Sequence, residues 1–296
     1  MKKTLLTICL VWMCFSLSAQ KIIDLSGKWS FSIDRQDNGE KEKWFSHTLN
    51  DFINLPGSMP EKLKGDEVTA KTQWTGSLYD SSYYYNPYME KYRKEGNIKF
   101  PFFLTPDKHY VGAAWYQKEV NIPADWKGER ILLFLERPHI ETTVWVNGQK
   151  TGMQNSLCVP HQYDITHYVR PGKCTITIRV DNRIKEINVG PDSHSITDQT
   201  QGNWNGIVGR ICLQTTPKTY FDDIQIYPEP EQKLARVKVV IKGTGTAKVK
   251  LSAESFNTDK KHIVPAIQQE IKLNKGVTET EMVLPMGNDM LLWDEF

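Results

Sequence analysis

The sequence predicts an all-β protein built as two successive β-sandwich domains. Three observations carry that prediction. Short runs of alternating apolar and polar residues recur along the chain, separated by Gly, Pro, Asn and Asp. One run, residues 131–135, is apolar throughout, as expected for a strand buried on both faces or lying deep in a sandwich. No stretch after residue 19 carries the apolar period of an ordinary amphipathic helix.

Residues 1–19 read as a secretory signal peptide. Lys2 and Lys3 form a basic start, residues 5–17 an apolar stretch, and Ser18-Ala19 a small-residue exit. The mature chain then begins near Gln20 and is expected in the periplasm or outside the cell. The apolar stretch falls short of the roughly 20 residues that span a bilayer. Ile8-Cys9 and Met13-Cys14 place no small residue before the cysteine, which argues against a lipid anchor. No membrane association is expected once the signal is removed.

The full chain carries 37 basic and 35 acidic residues. Losing Lys2 and Lys3 with the signal balances the two, so nothing in the charge suggests nucleic acid or an anionic membrane as a partner. Of the five cysteines, Cys158, Cys174 and Cys212 remain after processing, an odd number that cannot pair completely within the chain. Cys158, His161 and His167 lack the paired-cysteine spacing of a zinc site, so no metal and no cofactor is expected.

The strands follow in order. Residues 29–33 form the first alternating run, and residues 131–135 the apolar block. Val144 and Val146 alternate with Trp145, and Asn147-Gly148 then supplies the positive-φ pair of a tight hairpin. Pro171-Gly172 turns the chain into a strand whose buried face is Cys174, Ile176, Ile178 and Val180; Thr175, Thr177 and Arg179 alternate with them. The first domain, residues 20–218, ends where Thr215-Thr216-Pro217-Lys218 breaks the pattern. Residues 219–296 hold five further runs, at 224–227, 235–241, 247–256, 267–273 and 278–284. An immunoglobulin-like sandwich needs about seven strands. The second domain is therefore expected to be cut short.

Two stretches break the strand rhythm. Residues 65–110 are rich in Tyr and Lys and read as an insertion folded over one end of the sandwich, with an aromatic sugar platform or an ordinary solvated lobe as its two readings. Residues 183–202 are polar and aperiodic, and a loop of that length in a compact domain is usually functional or disordered. The segment 191–210, which overlaps its end, gathers His194, Asp198, Asn203 and Asn205 around Trp204. Amides and carboxylates supply the paired donors and acceptors that sugar hydroxyls need, and an indole ring packs against the apolar face of a pyranose. The same residues also suit a structural loop in which Asn and Asp hold turns and Trp204 plugs the sandwich end. Both readings stay open. Asp181-Asn182-Arg183, at the end of the preceding strand, reads either as an anchor of the loop or lining of the cleft, or as a surface ion pair between Asp181 and Arg183, the reading preferred here.

The successive segments GAAWYQKEVNIP, TTVWVNGQKTG, HQYDITHYVRPGK and TITIRVDNR, together with LSGKWSFSID and INLPGS upstream, resemble the N-terminal sugar-binding domain of family 2 glycoside hydrolases. That family includes β-galactosidases, β-glucuronidases and β-mannosidases. The resemblance implies a jelly-roll, galactose-binding-like β-sandwich, followed by a partial immunoglobulin-like β-sandwich. It further implies a β-linked glycan as ligand and the catalytic barrel of a full-length enzyme as partner, with β-galactosidase-like hydrolysis as the activity of the whole. Family members use two glutamates, the acid/base one preceded by asparagine, and no Asn-Glu dipeptide occurs here. A barrel also needs about 250 residues of its own. No catalytic residue is therefore assigned, and the chain alone is expected to be inactive. The loop residues Asp198, Asn203, Trp204, Asn205 and His194 are the expected sugar contacts, in a non-catalytic part that narrows the substrate cleft. A stand-alone carbohydrate-binding module and an inactive remnant are the alternatives.

Overall fold

The computed structural model describes residues 21–76, 81–101, 105–185, 190, 192–257 and 259–292. The expected signal segment, Tyr79 and the last four residues lie outside the described residues. Sixteen strands follow one another: β1 (Ile22–Asp24), β2 (Gly27–Asp34), β3 (Asp51–Leu55), β4 (Gly57–Ser58), β5 (Asp66–Glu67), β6 (Lys108–His109), β7 (Ala113–Ile122) and β8 (Arg130–Pro138) in the first half, then β9 (Glu141–Val146), β10 (Gln149–Asn155), β11 (His161–Asp164), β12 (Gly172–Asp181), β13 (Gly206–Thr216), β14 (Tyr220–Glu229), β15 (Leu234–Asn257) and β16 (Lys260–Pro285). The helical elements among the described residues are short 3-10 turns.

Two antiparallel sheets form the first domain. One has the order β10-β9-β12-β7-β2-β3; the other runs β1-β13-β8-β11, with β4 also paired to β13. Their facing side chains make one core. Cys174, Ile176, Ile178 and Val180 enter it from β12, Val144 and Val146 from β9, and Ile131, Leu133 and Leu135 from β8. Leu132 and Phe134, on the other face of β8, are buried too, as the unbroken apolar run implied. Asn147 and Gly148 take φ of 50° and 78°, the backbone that a tight primed hairpin requires. The Asn147 side chain then accepts from the Thr175 amide at 2.9 Å and ties the turn to β12.

The outer face of the larger sheet is also covered. The connection between β2 and β3 folds back over it, so Phe45 stacks on Trp145 at 5.2 Å and 7°, Trp44 meets Trp115 at 6.1 Å, and the two tryptophans of the sheet lie 4.9 Å apart. Leu49 joins this second cluster. Thr177, on the same face, is buried and accepts from the Gln117 amide nitrogen at 3.1 Å. Alternation in the sequence marked one buried face; the sheet has two, because a loop without any strand period of its own supplies the cover.

Beyond Pro217, β14, β15 and β16 form a three-stranded antiparallel sheet. The five expected runs are thus three strands, since β15 and β16 each absorb two. What looked like strand ends is a corner. Gly243, Gly245 and Gly276 all have positive φ, and the β15–β16 register slips between Gly243 and Gly245. Such a slip bends a strand without ending it. Across the bend, Val237, Val239 and Ile241 share one apolar cluster with Val249, Ile271 and Leu273. Phe221, Ile224 and Ile226 on β14 stay exposed.

The second aromatic layer has a measurable weight. Trp145→Ala should lower stability by about 3–5 kcal/mol, the usual loss for a large buried aromatic. Urea unfolding of the purified variant measures it; a loss below about 1 kcal/mol would mean that the outer layer is only a surface veneer.

Candidate functional site

Neighbouring strands of the larger sheet reach the same end of the sandwich in register. Asp34 pairs with Ala113, Ala113 with Asp181, and Asp181 with Glu141, so β2, β7, β12 and β9 present a row of three carboxylates there. In the facing sheet, Gly206 pairs with Ser58 and Ile207 with Pro138. The loops that the sequence singled out leave from this end.

Cations neutralise that row. Arg179, itself buried, reaches Asp181 at 2.9 Å, Asp37 at 2.6 Å and Glu141 at 3.3 Å. Arg183 binds Asp181 at 2.5 Å and Asp37 at 2.6 Å; Lys185 binds Asp181 at 2.8 Å and Glu141 at 2.9 Å. Burial by itself would raise the pKa of Asp181, yet hydrogen bonds from Arg183 and Lys185 and the charge of Arg179 hold it well below the usual carboxylate range. The expected Asp181–Arg183 pair exists, but it is not a surface pair. Asp181 is completely buried, because Asp37 arrives from the β2–β3 connection and closes over the two arginines.

The expected sugar contacts separate into two groups. Asp198 is buried: its carboxylate accepts from the Thr75 amide at 2.6 Å and the Asn203 amide at 2.8 Å, and it lies 3.3 Å from His109 Nε2. Asn203 donates to Thr75 Oγ1 at 2.9 Å and to the Asn182 carbonyl at 3.0 Å. Asn205, with no exposure, accepts from the Tyr116 hydroxyl at 2.7 Å and donates to the carbonyls of Gly112 and Val180 at 2.9 and 3.0 Å. These three side chains are engaged within the protein, Asn203 through its amide nitrogen alone. Trp204 and His194 form the second group. Trp204 is half-buried and stacks on His139 at 4.5 Å and 20°, and His194 is exposed. The geometry therefore gives Asp198, Asn203 and Asn205 the structural reading and leaves Trp204 and His194 accessible.

Thr75, His109 and His139 were invisible to sequence reasoning. Thr75 belongs to the tyrosine-rich insertion, and Thr197 Oγ1 and the Asp198 amide both donate to its carbonyl, at 3.1 and 3.0 Å. The insertion and the loop are thus locked together at one point. Nothing in the spacing of residues more than a hundred positions apart signals such a contact. Burial pushes the His139 imidazole down to about 4, with the nearby Asn203 side chain, which favours the protonated ring, working against it, so the ring under Trp204 is neutral at ordinary pH. Among the described residues, no group of three His, Cys, Asp or Glu is placed to hold a metal ion. Cys158 is exposed, and Cys174 and Cys212 are buried and free.

The sequence profile described as "Glycosyl hydrolases family 2, sugar binding domain" matches residues 22–217. The β-glucuronidase of Homo sapiens is 24% identical over 266 residues, covering 80% of this chain and 35% of that protein. The β-glucuronidase of Felis catus is 29% identical over 140 residues, 40% of this chain and 22% of that one. Among solved structures, an uncultured Clostridium β-glucuronidase superimposes with a TM-score of 0.54 at 19% identity, covering 92% of this chain and 40% of that chain. The Bacteroides uniformis β-glucuronidase gives 0.56 at 16% identity, with 90% and 28% covered. The chain thus spans about a third of the length of the curated relatives it matches.

Two buried histidines make stability depend on pH. His139 and His161 both have pKa values lowered to about 4, by burial in each case. The unfolded chain protonates them near 6.5. Their contribution is full above that pH, shrinks as pH falls towards 4, and is constant below; it amounts to roughly 3 kcal/mol for each ring. Urea midpoints should fall between pH 7 and pH 4.5, and His139→Gln should remove about half of that fall. A variant with the wild-type slope would show that His139 takes up its proton without unfolding.

Proposed function

Because the chain belongs to glycoside hydrolase family 2 through its sugar-binding domain, we propose that it is the non-catalytic front of an exported hydrolase of β-linked sugars. In this reading the 190–205 loop narrows the substrate cleft, and Trp204 is the surface against which the sugar packs. The reacting carboxylates belong to a barrel elsewhere in the enzyme. The observation that carries the proposal is the placement of Trp204: one face rests on a neutral His139, while the amides and carboxylate around it are all turned inward to hold the loop. An aromatic ring fixed in this way offers apolar area at little entropic loss.

The relatives are named β-glucuronidases, which supports a β-glucuronide as the sugar in preference to the β-galactoside first expected. Export rests on residues 1–19 and places the mature protein in the periplasm or beyond.

Three measurements test this reading. Titration of the purified chain with methyl β-D-glucuronide and methyl β-D-galactoside should quench tryptophan fluorescence saturably for the glucuronide. Trp204→Ala should weaken that binding at least tenfold, about 1.4 kcal/mol; undiminished affinity would remove the loop from the sugar site. The chain should release no nitrophenol from aryl β-glycosides. Mass spectrometry of the exported protein should find its first residue near Gln20, and a retained Met1 in that fraction would contradict the signal.

A further inference from the structure

A cleft of about 520 Å3 opens where the tyrosine-rich insertion meets the sandwich. Its volume falls within the roughly 300–1,000 Å3 of small-molecule sites. Asp34, Arg35 and Asp37 line it from the sandwich, Thr69, Lys71, Thr72 and Gln73 from the insertion, and residues 110–113 complete it. Trp204, His139 and His194 take no part in its lining. It is a different place from the sugar contact proposed above.

Most charges of this cleft are already paired. Arg35 pairs with Asp66 at 2.5 Å, Glu67 with Lys108, and Asp37 with both Arg179 and Arg183 at 2.6 Å. The Asp34 carboxylate accepts from the amides of Asn38 and Gly39 and from Trp115 Nε1, each at 2.9 Å. Acidic and basic side chains are interspersed, and no group of three His, Cys, Asp or Glu among the described residues is placed to hold a metal ion. Paired carboxylates and guanidinium groups nevertheless keep spare lone pairs and N–H groups, and Thr69, Thr72 and Gln73 add neutral donors and acceptors. Val111 contributes an exposed apolar side chain. A dense mixture of donors and acceptors, with a small apolar patch and both signs of charge interspersed, suits a molecule bearing many neighbouring hydroxyls.

The cleft is also built in advance. Asn182 accepts from the Gly112 amide at 2.8 Å and donates to the Tyr110 carbonyl at 2.9 Å, which fixes the 110–113 segment. Gly112 has a φ of 152°, and a side chain there would meet the Tyr110 hydroxyl at 2.6 Å, so only glycine fits there. A preformed site loses little of its binding energy to ordering.

We propose that this cleft is a second glycan site that takes a neutral oligosaccharide segment, with Lys71 and Gln73 on its insertion wall as contact residues. Both side chains are exposed, and no ion pair of the described residues includes Lys71. The site is independent of Trp204. Isothermal titration of the full chain with three neutral β-linked probes, cellotetraose, galactotetraose and mannotetraose, and with an oligouronide of equal length, decides the matter. At least one neutral tetraose should bind saturably and better than the oligouronide. The Lys71→Ala/Gln73→Ala double variant should lose at least tenfold affinity with an unchanged melting temperature, and Trp204→Ala should bind the tetraose like the wild type. Absence of neutral binding, preference for the oligouronide, or a loss caused by Trp204→Ala instead of the double variant would each overturn the second site. None of these outcomes bears on the glucuronide titration that tests Trp204.

Discussion

Two asparagines with no solvent exposure, Asn182 and Asn205, close the end of the sandwich on which everything else is mounted. Asn182 bridges the start of β7 to the end of β12 through the Gly112 amide and the Tyr110 carbonyl. Asn205 holds the Gly112 and Val180 carbonyls and the Tyr116 hydroxyl, while its own carbonyl accepts from the Met59 amide at 2.7 Å. Between them they satisfy backbone groups that would otherwise be buried without partners, where each orphan costs about 1–3 kcal/mol. They also fix where the insertion leaves β6 and where the loop enters β13. The Asn182 carbonyl accepts from Asn203, so the loop's own bracing is attached to the same clasp.

The ion network beside that clasp works in the same direction. Desolvating Asp181 is unfavourable, and only the three cations around it, with Asp37 and Glu141 balancing them, make an ionised form tolerable there. Such a cluster adds less to stability than to geometry. Each side chain is held by at least two partners, so the loop after β12 has few directions in which to leave the sheet. The network also joins the β2–β3 connection to the sheet end through Asp37. The connection that buries Trp115 and Trp145 is thereby anchored at the same end as the loop.

The sequence made some of this legible and hid the rest for physical reasons. Period-two patterning found the core face of β12, and the Asn147-Gly148 pair located a turn, because both signals are local. The outer aromatic layer was hidden, since Trp44 and Phe45 sit in a connection whose role is set by what it folds onto. The breaks between the runs ending at 241 and 273 and those that follow hold glycines at 243, 245 and 276, and they are corners within continuous strands; local composition cannot distinguish a bend from a stop. The loop was located correctly as an unusual segment. Its polar residues were harder, because a carboxylate suited to a sugar hydroxyl is equally suited to the amides of Thr75 and Asn203. Only the arrival of Thr75 from a distant insertion separates the two uses.

That separation changes what the loop is for. A polar loop with free amides would contact a sugar by hydrogen bonds and would have to be ordered on binding. Here Asp198, Asn203 and Asn205 are engaged beforehand, so the ordering has been accomplished by folding. Beside the exposed His194, what the loop displays is a half-buried indole on an imidazole kept neutral by burial. Neutrality matters, because a charged imidazolium under the ring would need a counter-ion or water, and the nearby Asp198 is already occupied by Thr75 and Asn203. With the ring beneath it uncharged, Trp204 remains an apolar platform whose position is set by hydrogen bonds it does not itself make. The loop's polar residues and its aromatic one are therefore a support and the surface it carries, and under the proposed reading a change in any of the three supporting residues would act on a sugar through the placement of Trp204.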